Sequence, residues 1–215
     1  MGDAATTPRE RYRRQVRAEI KDRAWEQIAV AGASAVSLNA IAKHMGLSGA
    51  ALYRYFTSRD ELLAELVRDA YQSLVSTFRA VAARGDGGLP GLAHALRAWA
   101  LDDPQRYFLV YGTPVPGYRT PADVSVIAAE IMGILLDACT ALPADAPVTP
   151  FETHLEAHWT GPAGHLAPPG ALHLAVSFWS RMHGVLSMEL GGHFAGVGFD
   201  PALLFQSELD VLAAR

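Results

Sequence analysis

One cysteine stands in 215 residues, Cys139, so no intrachain disulfide can form and a disulfide-built secreted scaffold is excluded. Long apolar runs are also missing. The longest uncharged stretch, residues 157–180, is broken by Pro162, Pro168 and Pro169 and by three histidines, which makes it a poor membrane span. Residues 1–17 are polar and arginine-rich and lack the apolar core of a signal peptide. No segment alternates apolar and polar residues long enough to build a sheet, and no internal repeat or low-complexity tract occurs. There is no G-x-S-x-G elbow, no glycine-rich phosphate loop and no pair of catalytic acids. These absences predict an all-α cytoplasmic protein with no membrane partner, no cofactor and no enzymatic activity.

What the chain does have is punctuation for helices. Thr7-Pro8-Arg9-Glu10, Thr120-Pro121-Ala122-Asp123 and Thr149-Pro150-Phe151-Glu152 share one form. Each puts a capping hydroxyl first, a proline where the helix needs no N–H, and an acid at the third helical position. Ser58-Arg59-Asp60-Glu61 is a capping box without the proline, and Asp103-Pro104 and Asp200-Pro201 mark two more starts. The signals predict helices over residues 9–31, 38–45, 49–55, 59–83, 90–101, 104–111, 121–141, 150–158, 170–190 and 201–213. Loops rich in Pro and Gly separate the later ones, at 112–120, 142–149 and 159–170.

Charge is divided unevenly. Residues 1–60 carry 10 Lys/Arg against 6 Asp/Glu, whereas residues 61–215 carry 8 against 16. A basic head suits an anionic partner, and an acidic body serves some other purpose. Within the head, Ser37 and Ser48 can cap two short helices, with Gly46 where the first one ends and a left-handed residue is needed. Ala42 is small enough to let the two helices cross closely. Leu38, Ile41, Met45, Leu47, Leu52 and Phe56 are spaced to share one core. This is the pattern of a helix-turn-helix, whose second helix fits the major groove of DNA.

Ala40-Ile-Ala-Lys-His-Met-Gly-Leu-Ser-Gly-Ala-Ala-Leu-Tyr-Arg-Tyr-Phe-Thr-Ser-Arg-Asp-Glu-Leu-Leu63 resembles the signature of TetR-type transcriptional regulators. The likeness covers about residues 12–66. It departs from the family pattern in having Arg59 in place of the usual lysine, and in opening the recognition helix with Gly49-Ala50-Ala51. The resemblance implies a DNA-binding head over residues 1–58 and a helical regulatory and dimerisation body over 59–215. It further implies a homodimeric repressor of a double-stranded DNA operator, released by a small apolar or amphipathic effector. By the same resemblance Ser37, Ser48, Tyr53, Tyr55 and Arg59 would hold phosphates. Base readout would fall to Gly49, Ala50, Ala51 and Arg54, with Arg54 the candidate for a bidentate contact to guanine. Lys43 and the arginines at 11, 13, 14 and 17 would add nonspecific attraction from a solvated face.

In the body, Ala175, Val176, Trp179, Met182, His183, Leu186 and Leu190 form one helical stripe, and Leu203, Leu204, Leu209 and Leu212 a second. With Gly184 permitting close approach, Ala175, Trp179, His183, Gly184, Leu186, Leu204 and Leu209 are the expected dimer interface, the other reading being the core of a single subunit. Trp179-Ser-Arg-Met-His-Gly184 resembles a Trp-x-x-x-His-Gly motif of one TetR-like subgroup, and Tyr107-Phe-Leu-Val-Tyr-Gly-Thr-Pro-Val-Pro-Gly-Tyr118 fits the same likeness. Trp99, Phe108, Tyr111, Met132, Phe151, Trp159 and Met182 would either line an effector pocket or fill plain core. Six of eight histidines lie beyond residue 150, and His154 and His158 share a helical face. With His165 or Glu152 they would make a zinc-responsive regulator or a metal-dependent helical enzyme; otherwise they are exposed histidines.

Overall fold

The computed structural model describes residues 7–113, 115, 117–118, 121–142, 148–161 and 167–214. Ten α-helices and one 3-10 turn occur among them, and no strand. The helices are α1 (Pro8–Ala31), α2 (Leu38–His44), α3 (Gly49–Leu52), α4 (Arg59–Ala83), α5 (Leu89–Asp102), α6 (Pro104–Tyr111), α7 (Ala122–Thr140), α8 (Pro150–His158), α9 (Pro169–Leu190) and α10 (Pro201–Ala213). The turn is Ala33–Ala35. Recognition helix α3 is shorter than the sequence spacing suggests, because the chain turns at Tyr53 and Arg54 before Phe56 drops into the core.

The helix starts follow from their caps. Thr7 and Thr149 form full capping boxes with Glu10 and Glu152. The box at Ser58 is only half made: Ser58 Oγ accepts from the Glu61 N–H at 3.0 Å. The Glu61 carboxylate reaches past Ser58 to accept from the N–H and hydroxyl of Thr57, both at 2.6 Å. These bonds, the hydroxyl's first, hold the Glu61 carboxyl below the usual range. At the start of α7 the acid is used otherwise. Asp123 accepts from the Arg68 guanidinium at 2.6 and 2.9 Å, while Thr120 lies outside the described residues.

Two apolar cores result. The head core joins Val16, Ile20, Ala24 and Ile28 of α1 to Leu38, Ile41 and Ala42 of α2, Leu52, Phe56, and Leu62, Leu63 and Leu66 of α4. A boundary at residue 58 therefore runs through this cluster. The body core takes Leu74, Val75 and Phe78 from the far end of α4 and packs them with α5, α6, α7, α9 and α10. Cys139 of α7 is buried there, and burial pushes its thiol up to about 12.

The turn between α2 and α3 depends on Gly46, whose φ of +66° is one that other residues adopt at a cost. Nothing lies within 4 Å of where its Cβ would sit, so a substitution there tests backbone conformation and not space. Gly46→Ala is expected to lower stability by about 1–2 kcal/mol, read as an earlier urea midpoint with an unchanged slope.

Candidate functional site

The outer side of the head is built around the start of α3. Ser48 Oγ accepts from the Ala51 N–H at 3.1 Å and Ser37 Oγ from the Ala40 N–H at 3.3 Å, so both serines cap as the sequence suggests. The Ser37 N–H is itself taken by the Gln27 side chain at 2.8 Å, which ties the entry of α2 to α1. Lys43, Ser48, Ala50, Tyr53 and Arg54 are exposed, and Ser37, Gly49, Ala51 and Tyr55 are half-buried. Tyr53 is 44% exposed, whereas the Tyr55 ring packs against the head core. Of the four residues nominated for base reading, Ala50 and Arg54 are exposed and Gly49 and Ala51 half-buried, with Arg54 the only long side chain among them.

Two arginines that look outward in the sequence point inward. Arg17 donates to the Tyr55 carbonyl, pairs with Glu65 at 3.3 Å and lies 4.0 Å from the centre of the Phe56 ring. It clamps α1 to the end of the helix-turn-helix and the start of α4, and so differs from the exposed Arg11, Arg13 and Arg14. Arg59 donates to the carbonyls of Ala33, Ser34 and Val36 at 3.0–3.1 Å. Its fork closes the 3-10 turn onto α4 by giving the carbonyls at the end of that turn a donor, the Ala33 carbonyl also accepting from the Val36 N–H at 3.4 Å. Nothing in the sequence signals these acceptors.

The body divides its nominated residues differently from the expected stripes. Ala175, Leu186 and Leu209 are essentially fully buried within the subunit. Trp179, His183 and Leu204 are half-buried, and Gly184 is exposed with nothing within 4 Å of where a Cβ would be. The open side of α9 is instead Ser180, Gly184 and Met188, and that of α10 is Leu203, Ser207 and Val211. The apolar stripe is buried, as its period predicts, but α9 packs it against α7, α8 and α10 of its own subunit.

The seven nominated pocket residues do not gather around one space. Met182 and Trp99 belong to the core, with Trp99 Nε1 donating to Ser73 Oγ at 3.1 Å. Phe151 is exposed at the edge of α8 against the His173 ring, while Phe108, Met132 and Trp159 pack on the outside of the body core. None of the seven lines the cavity that does occur where head meets body. That space, about 160 Å³, is bounded by Leu63, Val67 and Tyr71 of α4, Leu109 and Val110 of α6, and Gly112, Thr113, Val115 and Tyr118. The i, i+4, i+8 spacing of Leu63, Val67 and Tyr71 is the sequence signal that could have found it. Tyr111 does stand next to it, its ring edge-on to Tyr71 at 6.0 Å.

Polar atoms are left over around this junction. Tyr107 Oη lies 3.0 Å from His183 Nδ1, 2.8 Å from Ser187 Oγ and 3.2 Å from the His183 carbonyl. The opposite ring nitrogen, His183 Nε2, is shielded from solvent and has no hydrogen-bond partner among the described residues, and the same holds for the hydroxyls of Tyr111 and Tyr118. Leaving such a group unpaired costs about 1–3 kcal/mol. Burial lowers His183 to about 4, so it is neutral at physiological pH. Burial likewise raises Tyr111 well above its ordinary value.

The histidines of α8 do not assemble a metal centre with their neighbours. His154 and His158 stack on each other at 4.4 Å, and His158 Nδ1 lies 3.0 Å from the His154 carbonyl. Glu152 is taken by the Thr149 cap and by His173 at 3.0 Å. Among the described residues no three His, Cys, Asp or Glu side chains are placed to hold a metal ion, and His165 lies outside them. No helix among them is long and apolar enough to cross a membrane.

An outward recognition turn on a closed three-helix head, carried by a long helix into a larger helical body, defines a helix-turn-helix regulator. Residues 20–66 match the family described as bacterial regulatory proteins, tetR family, and residues 89–212 match the tetracyclin repressor-like C-terminal domain. The chain belongs to the TetR family. It is 33% identical over 217 residues to the HTH-type transcriptional regulators Rv1816 of Mycobacterium tuberculosis and Mb1846 of Mycobacterium bovis, covering 94% of this chain and 92% of theirs. A crystal structure assigned to a regulatory protein, SCO4313, superposes with a TM-score of 0.91 at 64% identity, over 97% of this chain and all of that one. A Rhodococcus protein of unknown function shares the fold, with a TM-score of 0.67 at 23% identity over 93% of this chain and 94% of that one. This is a TetR-family transcriptional regulator, and the family and named relatives speak against catalysis.

Because the Arg59 fork faces carbonyls, Arg59→Ala is expected to destabilise the head by about 1–2 kcal/mol, measured by urea unfolding. Arg59→Lys should restore only part of this, since an ammonium cannot span three acceptors with a planar fork. In DNA titrations the slope against salt should stay nearly unchanged in both variants.

Proposed function

We propose that this regulator is a ligand-responsive repressor, acting in the cytoplasm as a homodimer on an operator with two half-sites. The observation that carries the reading is the outward surface of α3 and of the turn that follows it, with Ala50, Tyr53 and Arg54 exposed in a head whose α1 also exposes Arg11, Arg13 and Arg14. Tyr53, Lys43 and Ser48 would position the backbone, and Arg54 would read a base edge. The small side chains Gly49, Ala50 and Ala51 let the backbone approach closely, so DNA shape would share in the specificity. Arg59 acts indirectly, by holding the turn against α4.

A single short recognition helix seldom suffices, and a dimer places two of them about one DNA turn, roughly 34 Å, apart. The open faces of α9 and α10 supply a surface for this: Ser180, Gly184 and Met188 beside Leu203 and Val211. Leu203 is 70% exposed, which suits a side chain awaiting a partner subunit. An effector bound at the head–body junction would favour the state that does not fit DNA, by no more than its difference in affinity for the two states.

Fluorescence anisotropy with duplexes tiling the upstream intergenic region tests the proposal. Saturable binding to one tile by two subunits, well above scrambled duplex, is expected; equal binding to all tiles would sink it. Arg54→Ala should lose about 1–3 kcal/mol of discrimination at one base pair of each half-site. An equal loss on operator and scrambled duplex would remove Arg54 from base reading.

Gly184→Leu tests the dimer. Among the described residues no atom lies within 4 Å of its added Cβ, so folding should be preserved while sedimentation shows the dimer dissociating at least about tenfold more readily, a shift of about 1.4 kcal/mol. A variant that remains as dimeric as the parent would place the interface elsewhere.

A further inference from the structure

The polar atoms without partners at the junction form a pattern that bears on the effector, and its meaning rests on the ligand-responsive reading. α6 and α9 build an aromatic nest: Tyr111 lies 4.3 Å from His183 and 5.8 Å from Trp179, Trp179 lies 4.3 Å from His183, and Tyr107 stacks on His183 at 5.6 Å. Tyr107 Oη is fully occupied by the His183 Nδ1 side of the ring, Ser187 and a carbonyl. That fixes the imidazole and leaves Nε2 on the other side, in the same nest as Tyr111 Oη, both buried and both unpaired. Buried polar groups are nearly always paired, and these two, on touching rings, have no protein partner among the described residues, which leaves both free to bond a polar guest.

The junction cavity supplies the rest of the site. It is separated from the nest by one ring, Tyr71, which lines the cavity and stands edge-on to Tyr111. A third buried and unpaired hydroxyl, that of Tyr118, lies on the cavity's own wall. Its volume of about 160 Å³ is enough for a molecule about the size of a substituted benzene. No Lys, Arg, Asp or Glu among the described residues pairs with Tyr111, His183 or Tyr118. Arg68, Asp60 and Asp123 are close enough to Tyr118 to act on its hydroxyl, but each already has a partner: Arg68 is held by Asp123 and Glu65, and Asp60 lies 3.8 Å from Arg59. A carboxylate or ammonium bound in this space would be desolvated without a free counter-charge.

We propose that the space between α4, α6 and α9 binds a small uncharged molecule with a largely apolar body and one hydroxyl or carbonyl oxygen. The oxygen pairs with Tyr111 Oη and His183 Nε2, and the body fills the junction cavity with the Tyr71 ring turned aside. A hydroxyl serves whichever His183 tautomer is present, because it both donates and accepts; a carbonyl requires the proton on Nε2. The oxygen contacts the body helices α6 and α9, and the apolar part wedges against Leu63 at the edge of the head core.

The test uses four probes of one shape: 4-methylbenzyl alcohol, 4-methylacetophenone, 4-methylbenzoate and p-xylene. Each is titrated into the full-length protein without DNA, with tryptophan fluorescence and thermal unfolding as readouts. The alcohol and the ketone should bind saturably and at least about tenfold more tightly than the carboxylate and the hydrocarbon. Tyr111→Phe should weaken the alcohol about tenfold and leave p-xylene unchanged. In the absence of probe the same variant should unfold at an equal or higher temperature, since it removes an unpaired hydroxyl. No saturable response, equal binding of p-xylene and alcohol, or preference for the carboxylate overturns the site. So does a Tyr111→Phe variant that unfolds earlier with probe affinities unchanged, for the hydroxyl then serves packing alone. Operator binding is measured separately on the same preparations. Operator binding without probe binding refutes this site and leaves the repressor standing; probe binding without operator binding does the reverse.

Discussion

Everything in this molecule hangs on one helix being buried twice. α4 spans 25 residues, about 37 Å at 1.5 Å per residue. Leu62, Leu63 and Leu66 at its start belong to the head core, and Leu74, Val75 and Phe78 at its far end belong to the body core. Neither core closes without it, so α4 cannot tilt at one end without disturbing packing at the other. Ion pairs set its azimuth: Lys21 to Asp69 and Arg17 to Glu65 on the head side, Arg68 to Asp123 and Arg79 to Glu130 on the body side. These pairs are partly exposed and worth little individually. Burial holds the rod, and the charges select which face meets which neighbour.

A second connection runs beside the first. Leu109 of α6, with Val115 and Tyr118 beyond it, packs against the head core, although Tyr107 of the same helix is buried in the body core. Head and body thus touch through α4 and through the end of α6, and the junction cavity is the gap between those two bridges.

Local structure is legible in the sequence because it is decided by neighbours. Thr7 with Glu10, Ser37, Ser48, Asp103 and Asp200 cap where their side chains reach the next turn, and Gly46 adopts the conformation its place demands. What stays hidden depends on partners distant in the chain. The charge of Arg17 and Arg59 is visible in the sequence, but the carbonyls they serve lie 38 and 23–26 residues away. Helical period reveals that Ala175, Leu186 and Leu209 are buried without saying whether the covering surface belongs to the same subunit. The aromatic residues of the body are readily counted, yet the cavity is framed by Leu63, Val67, Tyr71 and Tyr118, because it arises from two bridges failing to meet and not from aromatic content.

The solitary cysteine has a practical side. Cys139 is enclosed in the body core with its thiol held protonated well above neutrality, and thiol reagents act on exposed thiolate. The native chain is therefore silent to maleimide dyes while folded. A single cysteine placed on the exposed surface of the head becomes the one labelling site, with no native residue to remove first. Paired with one tryptophan of the body as donor, the other three, Trp25 of the head among them, being replaced, such a label turns the separation of head and body into a distance that can be followed in solution.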